Sequence, residues 1–145
     1  MPVKRFSVAC LMLLASPFIA AAQEADVARE TRLVIELNAL EPSERGCRVT
    51  FVAANNLEGD LDRAAYELAF FDTDGLVSRL AVVDFLDLDQ GRTKVRQFEF
   101  AGMDCTGISR ILVNDLAECV GADIEAASCM SRLTIDNKTS IQFGT

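Results

Sequence analysis

The dominant pattern of this sequence is a series of short apolar runs that alternate with polar residues and stop at turn residues. In the clearest run, at 47–54, Val49, Phe51 and Ala53 fall on one face. A period of two residues is typical of a β-strand that buries one of its faces. Because such runs recur from residue 32 to the end of the chain, the sequence predicts an all-β domain.

Turn residues divide the chain into about seven predicted strands. These lie near 32–40, 47–54, 64–72, 76–85, 92–100, 107–115 and 131–143, and the last run holds one or two strands. Seven short strands separated by turns predict a sandwich of two antiparallel sheets. Alanines and glutamates near 116–130 favour a short helix, which we expect to form an insertion before the last strand.

The N-terminus has the organisation of a bacterial signal peptide. Two basic residues precede a largely apolar run, and three alanines follow it, so we expect residues 1–22 to be removed by cleavage after Ala22. An uncleaved membrane anchor is less favoured because the apolar run is short, and Cys10 is badly placed for lipidation. We expect a flexible segment at 23–31 and the β-domain at 32–145, in a periplasmic or secreted protein.

The charge of the chain limits its partners. The net charge is −8, and removal of Lys4 and Arg5 with the signal peptide would lower it to −10. An acidic protein is repelled by phosphate backbones and by anionic lipids. We therefore expect no nucleic-acid partner and no stable insertion into a membrane after signal cleavage.

Four cysteines remain after the predicted cleavage, namely Cys47, Cys105, Cys119 and Cys129. An even number in a small exported domain favours disulfides. A zinc site is the alternative, but the chain has no histidine and no cysteine spacing typical of zinc. Cys47 opens the second strand and Cys105 follows the fifth, and these ends are close in an antiparallel pair. We therefore predict a Cys47–Cys105 disulfide and a local Cys119–Cys129 disulfide around the helical insertion.

The turns at residues 48–100 resemble those of small bacterial immunoglobulin-like domains of the FxLYD type. The matching features are Asn55-Asn56, Phe71-Asp72 with Gly75, and Leu88 with Gly91. The motif that names that family is absent, and its members lack this arrangement of four cysteines. The resemblance implies an immunoglobulin-like antiparallel β-sandwich and a role as an interaction or spacer module, without catalytic residues.

Two acidic turns contain carboxylates that could bind calcium. At 72–75 the ligand pattern of a helix-loop-helix calcium site fails after two positions, so the sequence predicts a strand corner there. A weak surface calcium site built from Asp84, Asp87 and Asp89 stays open as a hypothesis. The alternative is a solvated turn whose carboxylates discourage aggregation of sheet edges.

The sequence predicts a protein that is not an enzyme and that needs no cofactor or structural metal. The absence of histidine excludes Ser-His-Asp and Cys-His nucleophile systems, and no catalytic residue is predicted. The leading hypothesis is a module that binds another envelope protein through loops or a strand edge. The alternative is a disulfide-stapled inhibitor of an exported hydrolase that inserts residues 118–129. A carboxylate-dependent enzyme is the third hypothesis.

Overall fold

The computed structural model describes residues 30–145. The predicted signal peptide, its cleavage site and most of the segment 23–31 therefore lie outside the described residues. The strands are β1 (Leu33–Pro42), β2 (Gly46–Asn55), β3 (Arg63–Phe71), β4 (Val77–Asp84), β5 (Thr93–Ala101), β6 (Arg110–Val120), β7 (Leu133–Asn137) and β8 (Gln142–Gly144). A 3₁₀ turn (Cys105–Gly107) and a one-turn helix α1 (Ser128–Ser131) complete the described elements.

The described strands form two four-stranded sheets. The first sheet has the order β5-β2-β1-β7 and the second has the order β4-β3-β6-β8. The chain crosses from one sheet to the other between β2 and β3, and at every connection from β4 to β8. The all-β prediction is confirmed, and the two sheets enclose one core.

The prediction of purely antiparallel sheets is wrong, because both sheets are mixed. β7 pairs parallel to β1, and β8 pairs parallel to β6. After β6 the chain crosses to the first sheet, where β7 runs beside β1 in the same direction. It then crosses to the second sheet, where β8 runs beside β6 in the same direction.

The prediction of a helix near 116–130 is also largely wrong. The segment 116–120 belongs to β6 and pairs with the start of β3, and only Ser128–Ser131 form a helical turn. Helix propensity is worth only tenths of a kcal/mol per residue, so strand pairing along β3 overrides the local preference of alanine and glutamate. The helical turn still precedes β7, as predicted for the insertion.

The core lies between the inner faces of the two sheets. The predicted faces of β2 and β3 are confirmed, since Val49 and Phe51 are buried, as are Tyr66, Leu68 and Phe70. Aromatic rings join the sheets, and the ring centroids of Phe70 and Phe100 lie 4.6 Å apart. Burial of large apolar side chains of this kind is the main stabilising term of the fold.

Both predicted disulfides are present. Cys47–Cys105 joins the start of β2 to the 3₁₀ turn, and Cys119–Cys129 joins the end of β6 to α1. Disulfides of this kind are typical of an oxidising, exported environment. Within residues 30–145, no helix has both the length and the apolar character that crossing a bilayer requires.

Candidate interaction surface

The outer face of the second sheet carries neighbouring exposed apolar side chains, which we call the β4 patch. It consists of Val77, Leu80 and Val82 of β4, with Phe71 of β3 and Leu112 of β6 beside them. The exposed fraction is 54% for Val77, 56% for Leu80 and 61% for Val82. Single exposed apolar residues are ordinary on a protein surface, but contiguous ones are typical of an interaction site.

Strand register makes the β4 patch continuous across three strands. Leu80 lies opposite Ala69 of β3, and Ala69 lies opposite Leu112 of β6. Ala69 is only 3% exposed, which is consistent with the longer side chains of its two cross-strand neighbours lying beside it. Val77 lies opposite Phe71 in the next row. The row of Leu80 is therefore apolar from the sheet edge to its centre, whereas Val82 lies opposite Glu67 of β3.

Charged groups border the β4 patch at both ends. At one end, Arg63 binds the carboxylates of Asp84 and Glu118, at 2.8 Å and 2.6 Å. At the other end, the guanidinium of Arg110 lies 5.0 Å from the ring centroid of Phe71, a distance typical of a cation–π contact. An apolar centre with a polar border is the usual organisation of a protein interface.

β4 is also an edge strand. Within the described residues, no strand pairs with its second side. Natural edge strands are usually protected by lysine, proline, inward-pointing charges or bulges. β4 contains no lysine and no proline. Its one bulge, at Ser78, and its one inward-pointing charge, Arg79, which lies opposite the buried Phe70, both lie near its start. The stretch from Leu80 to Asp84 is regular and can accept a further strand.

The edge strand β5 of the first sheet is protected, in contrast to β4. Lys94 and Arg96 alternate with the exposed Val95, and both point towards the segment that leaves β4. The Lys94 ammonium lies 2.5 Å from the Asp87 carboxylate, and Arg96 Nε donates to the Phe85 carbonyl at 2.8 Å. These contacts place two cations along this edge, which makes β5 a poor acceptor for an added strand.

The outer face of the first sheet is more polar than the β4 patch. Arg48 Nε lies 3.4 Å from the Glu99 carboxylate, and Gln97 Nε2 donates to Thr50 Oγ1 at 3.1 Å. The exposed Val95 and its cross-strand neighbour Val52 form an apolar pair on this face, beside these polar contacts. Of the two outer faces, the second sheet presents the better candidate for a protein partner.

The three carboxylates of the calcium hypothesis do not form a ligand set. Asp84 is paired with Arg63, Asp87 is paired with Lys94, and Asp89 lies exposed in the following turn. The hydrogen bond and the positive charge of Lys94 hold the pKa of Asp87 below its usual range. Among residues 30–145, no group of three or more acidic or cysteine side chains is placed to hold a metal.

The turn at 72–75 is the strand corner that the sequence predicts. The carboxylate of Asp72 accepts backbone hydrogen bonds from Asp74 at 3.0 Å and from Leu76 at 2.9 Å. Gly75 has a φ of 80°, a conformation that favours glycine. The aspartate therefore caps the hairpin between β3 and β4 and sets where β4 begins.

The segment closed by Cys119–Cys129 packs against the body of the domain. Cys129 is fully buried, and its carbonyl accepts a hydrogen bond of 2.7 Å from the hydroxyl of Tyr66. A Cβ built on Gly59 would lie 3.4 Å from the Ile124 side chain, so this segment rests on the loop after β2. The exposed positions of the segment include Ala122, Asp123 and Glu125.

The displaced pKa values of the carboxyl groups are all lowered. A hydrogen bond from the Ser43 hydroxyl lowers the pKa of Glu99, which lies beside an open hollow of about 520 Å³ at the β1–β2 turn. A hydrogen bond from Thr106 lowers the pKa of Asp104. A carboxyl group that acts as a general acid needs a raised pKa, so neither group is suited to that role.

Sequence reasoning named a strand edge but did not identify the β4 patch. The run 76–83 is apolar on both faces, since Leu80 and Val82 alternate with Ala81 and Val83. A strand that is apolar on both faces is either buried on both sides or exposes one face to a partner. The acidic turns at both ends of this run suit an edge strand, and they were the sequence signal that could have indicated an exposed apolar face here.

No family model matches the sequence, and neither a curated protein nor a solved structure matches the chain.

Proposed function

We propose that this protein is a non-enzymatic, exported interaction module that binds another envelope protein through the β4 patch and the free edge of β4. The observation that carries the proposal is the coincidence of exposed apolar side chains with an edge strand that is regular, and free of lysine, proline, bulges and inward-pointing charges, from Leu80 to Asp84. Strand addition supplies backbone hydrogen bonds, and side chains beside the edge supply selectivity. β5 lacks this combination because Lys94 and Arg96 lie along its edge.

An immunoglobulin-like architecture is part of this proposal. It is supported by the pairing of β2 with β5 in one sheet and of β3 with β6 in the other, with the chain crossing between the sheets. The turn resemblance to FxLYD-type domains supports it as well. The parallel pairings of β7 with β1 and of β8 with β6 depart from a purely antiparallel immunoglobulin-like sandwich. An interaction or spacer role is what such domains typically have.

A periplasmic or secreted location is the second part of the proposal. Its support is the pair of disulfides together with the signal-peptide pattern at 1–22. The acidic net charge supports a protein partner over a nucleic acid or an anionic membrane. Intact mass of exported material should show a chain that begins at Gln23 and lacks four thiol hydrogens.

The rival functions have less support. For a carboxylate-dependent enzyme, Asp87, Glu99 and Asp104 have lowered pKa values, whereas a general acid needs a raised one. For the hydrolase inhibitor, the segment 118–129 is tied to the domain by the buried Cys129 and by the packing of Ile124 against the Gly59 loop. Neither rival explains why the outer face of the second sheet is apolar.

The experiment is crosslinked affinity capture from the native envelope, read by mass spectrometry, with a matched pair of variants. Val82→Lys places a charge in the β4 patch, and Val95→Lys places one on β5, where the exposed fractions are 61% and 59%. Burial of a valine side chain is worth about 1.5–3 kcal/mol, so Val82→Lys should weaken capture of a specific partner about tenfold or more. Val95→Lys should capture it like the wild type.

Circular dichroism and thermal unfolding should show that both variants are folded, because both side chains are exposed. Equal capture by the two variants would contradict the proposed site. Loss of capture only after reduction of Cys119–Cys129 would favour the inhibitor hypothesis instead.

A further inference from the structure

We infer that the segment bound at the β4 edge is an extended strand with alternating apolar residues and with lysine or arginine at the end that lies beside Asp84. This inference rests on the proposed function and adds the chemistry of the partner. Three features support it: the free edge of β4, the apolar side chains along it, and an excess of negative charge that is larger at the end beyond Asp84.

The negative end is formed by two loops that lie together beyond Asp84. The chain after β4 follows the start of β3, with Phe85 N–H donating to the Ala64 carbonyl at 2.8 Å and Leu88 N–H donating to the Leu61 carbonyl at 2.8 Å. Asp60 Oδ1 also accepts from Gln90 N–H at 2.7 Å. Acidic residues of both loops are therefore close to the point where β4 ends.

Carboxylates without ion pairs leave this end negative. Arg63 binds two carboxylates, those of Asp84 and Glu118, but Lys94 and Arg96 both contact the Asp87 carboxylate and offset that surplus. Asp62 and Asp89 are exposed, and neither has an ion pair within residues 30–145. A basic residue at the matching end of an added strand would meet an attractive potential.

The opposite end of β4 has a different character. Arg110 lines a hollow at the β3–β4 turn with Asp74, and Arg79 lines the neighbouring hollow with Asp72. Arg79 Nη1 donates to the carbonyl of Ala101 at 3.1 Å. Here two cations, Arg79 and Arg110, face three acidic residues, Asp72, Asp74 and Asp104, so the negative excess is smaller than at the end beyond Asp84.

A second copy of the chain does not supply the required cation. In a two-fold antiparallel pairing centred on Ala81, Leu80 would meet Val82 of the other copy. Ser78 of the other copy would then lie beside Asp84, which leaves the acidic end without a basic partner. The net charge of −8 on each copy adds repulsion. The edge is thus better matched to a different, basic segment.

The test uses four labelled peptides with the mature protein, all with the apolar alternation Val-Thr-Val-Thr-Val-Thr. Two carry Lys-Lys, at the amino end in one and at the carboxyl end in the other. The other two carry Glu-Glu at the same two places. The affinities of the two lysine peptides report the strand direction. Antiparallel addition places the amino end of the peptide beside Asp84, so the peptide with Lys-Lys at its amino end should then bind better.

The better of the two lysine peptides should bind about tenfold more tightly at low salt than the glutamate peptide charged at the same end, as expected for two favourable pairs of about 0.2–1 kcal/mol each replaced by repulsive ones. High salt should reduce this ratio towards one. Asp62→Asn with Asp89→Asn should reduce it several-fold. The control is Glu41→Gln with Glu44→Gln, which removes the same charge at the exposed β1–β2 turn and should leave the ratio unchanged.

Each other outcome has a definite meaning. If lysine and glutamate peptides bind equally, or if the control pair lowers the ratio as much, the charge inference is refuted while use of the edge stands. If no peptide binds but capture of an envelope protein still depends on Val82, the partner is not a basic strand and the proposed function survives. A stable dimer in sedimentation that Leu80→Lys dissociates would make a second copy the occupant and overturn the inference.

Discussion

Replacement of the buried asparagine at the end of β2 tests the packing of the loops that frame β4. Asn55 is fully buried, and its side chain makes three hydrogen bonds. Nδ2 donates to the carbonyls of Gly59 at 2.9 Å and Leu88 at 2.8 Å, and Oδ1 accepts from Leu57 N–H at 2.9 Å. One side chain therefore joins the loop after β2 to the loop after β4.

The cost of Asn55→Ala can be worked from these partners. Each intramolecular hydrogen bond contributes about 1 kcal/mol net, so three contribute about 3 kcal/mol. The Leu88 carbonyl keeps a second donor, Leu61 N–H, at 3.1 Å, whereas the Leu57 N–H and the Gly59 carbonyl lose their side-chain partner. An unpaired buried group adds to the loss, and we expect a decrease of about 3–5 kcal/mol in the free energy of unfolding.

The assay is urea unfolding followed by circular dichroism, with Asn56→Ala as the matched control. The Asn56 side chain makes no hydrogen bond within the described residues, so its replacement should change stability by less than about 0.5 kcal/mol. A loss of less than about 1 kcal/mol for Asn55→Ala would refute the reasoning. Equal losses for the two variants would refute it as well.

Three further changes test the fold. Tyr66→Phe should lower the free energy of unfolding by about 1–2 kcal/mol in urea, because the hydroxyl bond to the Cys129 carbonyl is lost. Burial raises the pKa of Tyr66, so wild-type stability should fall as pH rises above about 10, where the unfolded tyrosine ionises, and Tyr66→Phe should remove that fall. Joint replacement of Cys119 and Cys129 by alanine should lower the thermal midpoint by the equivalent of about 3 kcal/mol. Gly46→Ala should cost about 2 kcal/mol or more in urea, because its Cβ would overlap the Phe100 carbonyl oxygen.

The sequence was sufficient to predict the parts of the fold that depend on local alternation. The run at 47–54 has a clear period of two, and it forms a strand with the predicted face buried. The Cys47–Cys105 disulfide could be predicted because the start of the second strand and the end of the fifth lie close together in an antiparallel pair. Turn chemistry identified the corner at 72–75, because Asp72 and Gly75 suit one local geometry.

The parts that failed depend on contacts between distant segments. The residues 116–120 favour a helix locally, but they extend β6 because the start of β3 offers a pairing partner. β7 pairs parallel to β1, and β8 pairs parallel to β6. Both pairings are set by where the chain returns after α1, and no local pattern encodes them. The β4 patch was missed because an apolar residue such as Leu80 gives the same pattern whether it is buried or exposed.

Site-specific photocrosslinking in the native envelope tests the central claim most directly. A photoreactive residue at Leu80 samples the β4 patch, and one at Val95 samples the protected edge at nearly equal exposure, 56% against 59%. If the partner binds at the β4 patch, position 80 should give one dominant crosslinked partner and position 95 should give none above background. The same adduct pattern from both positions, or a dominant partner from position 95 alone, would contradict it.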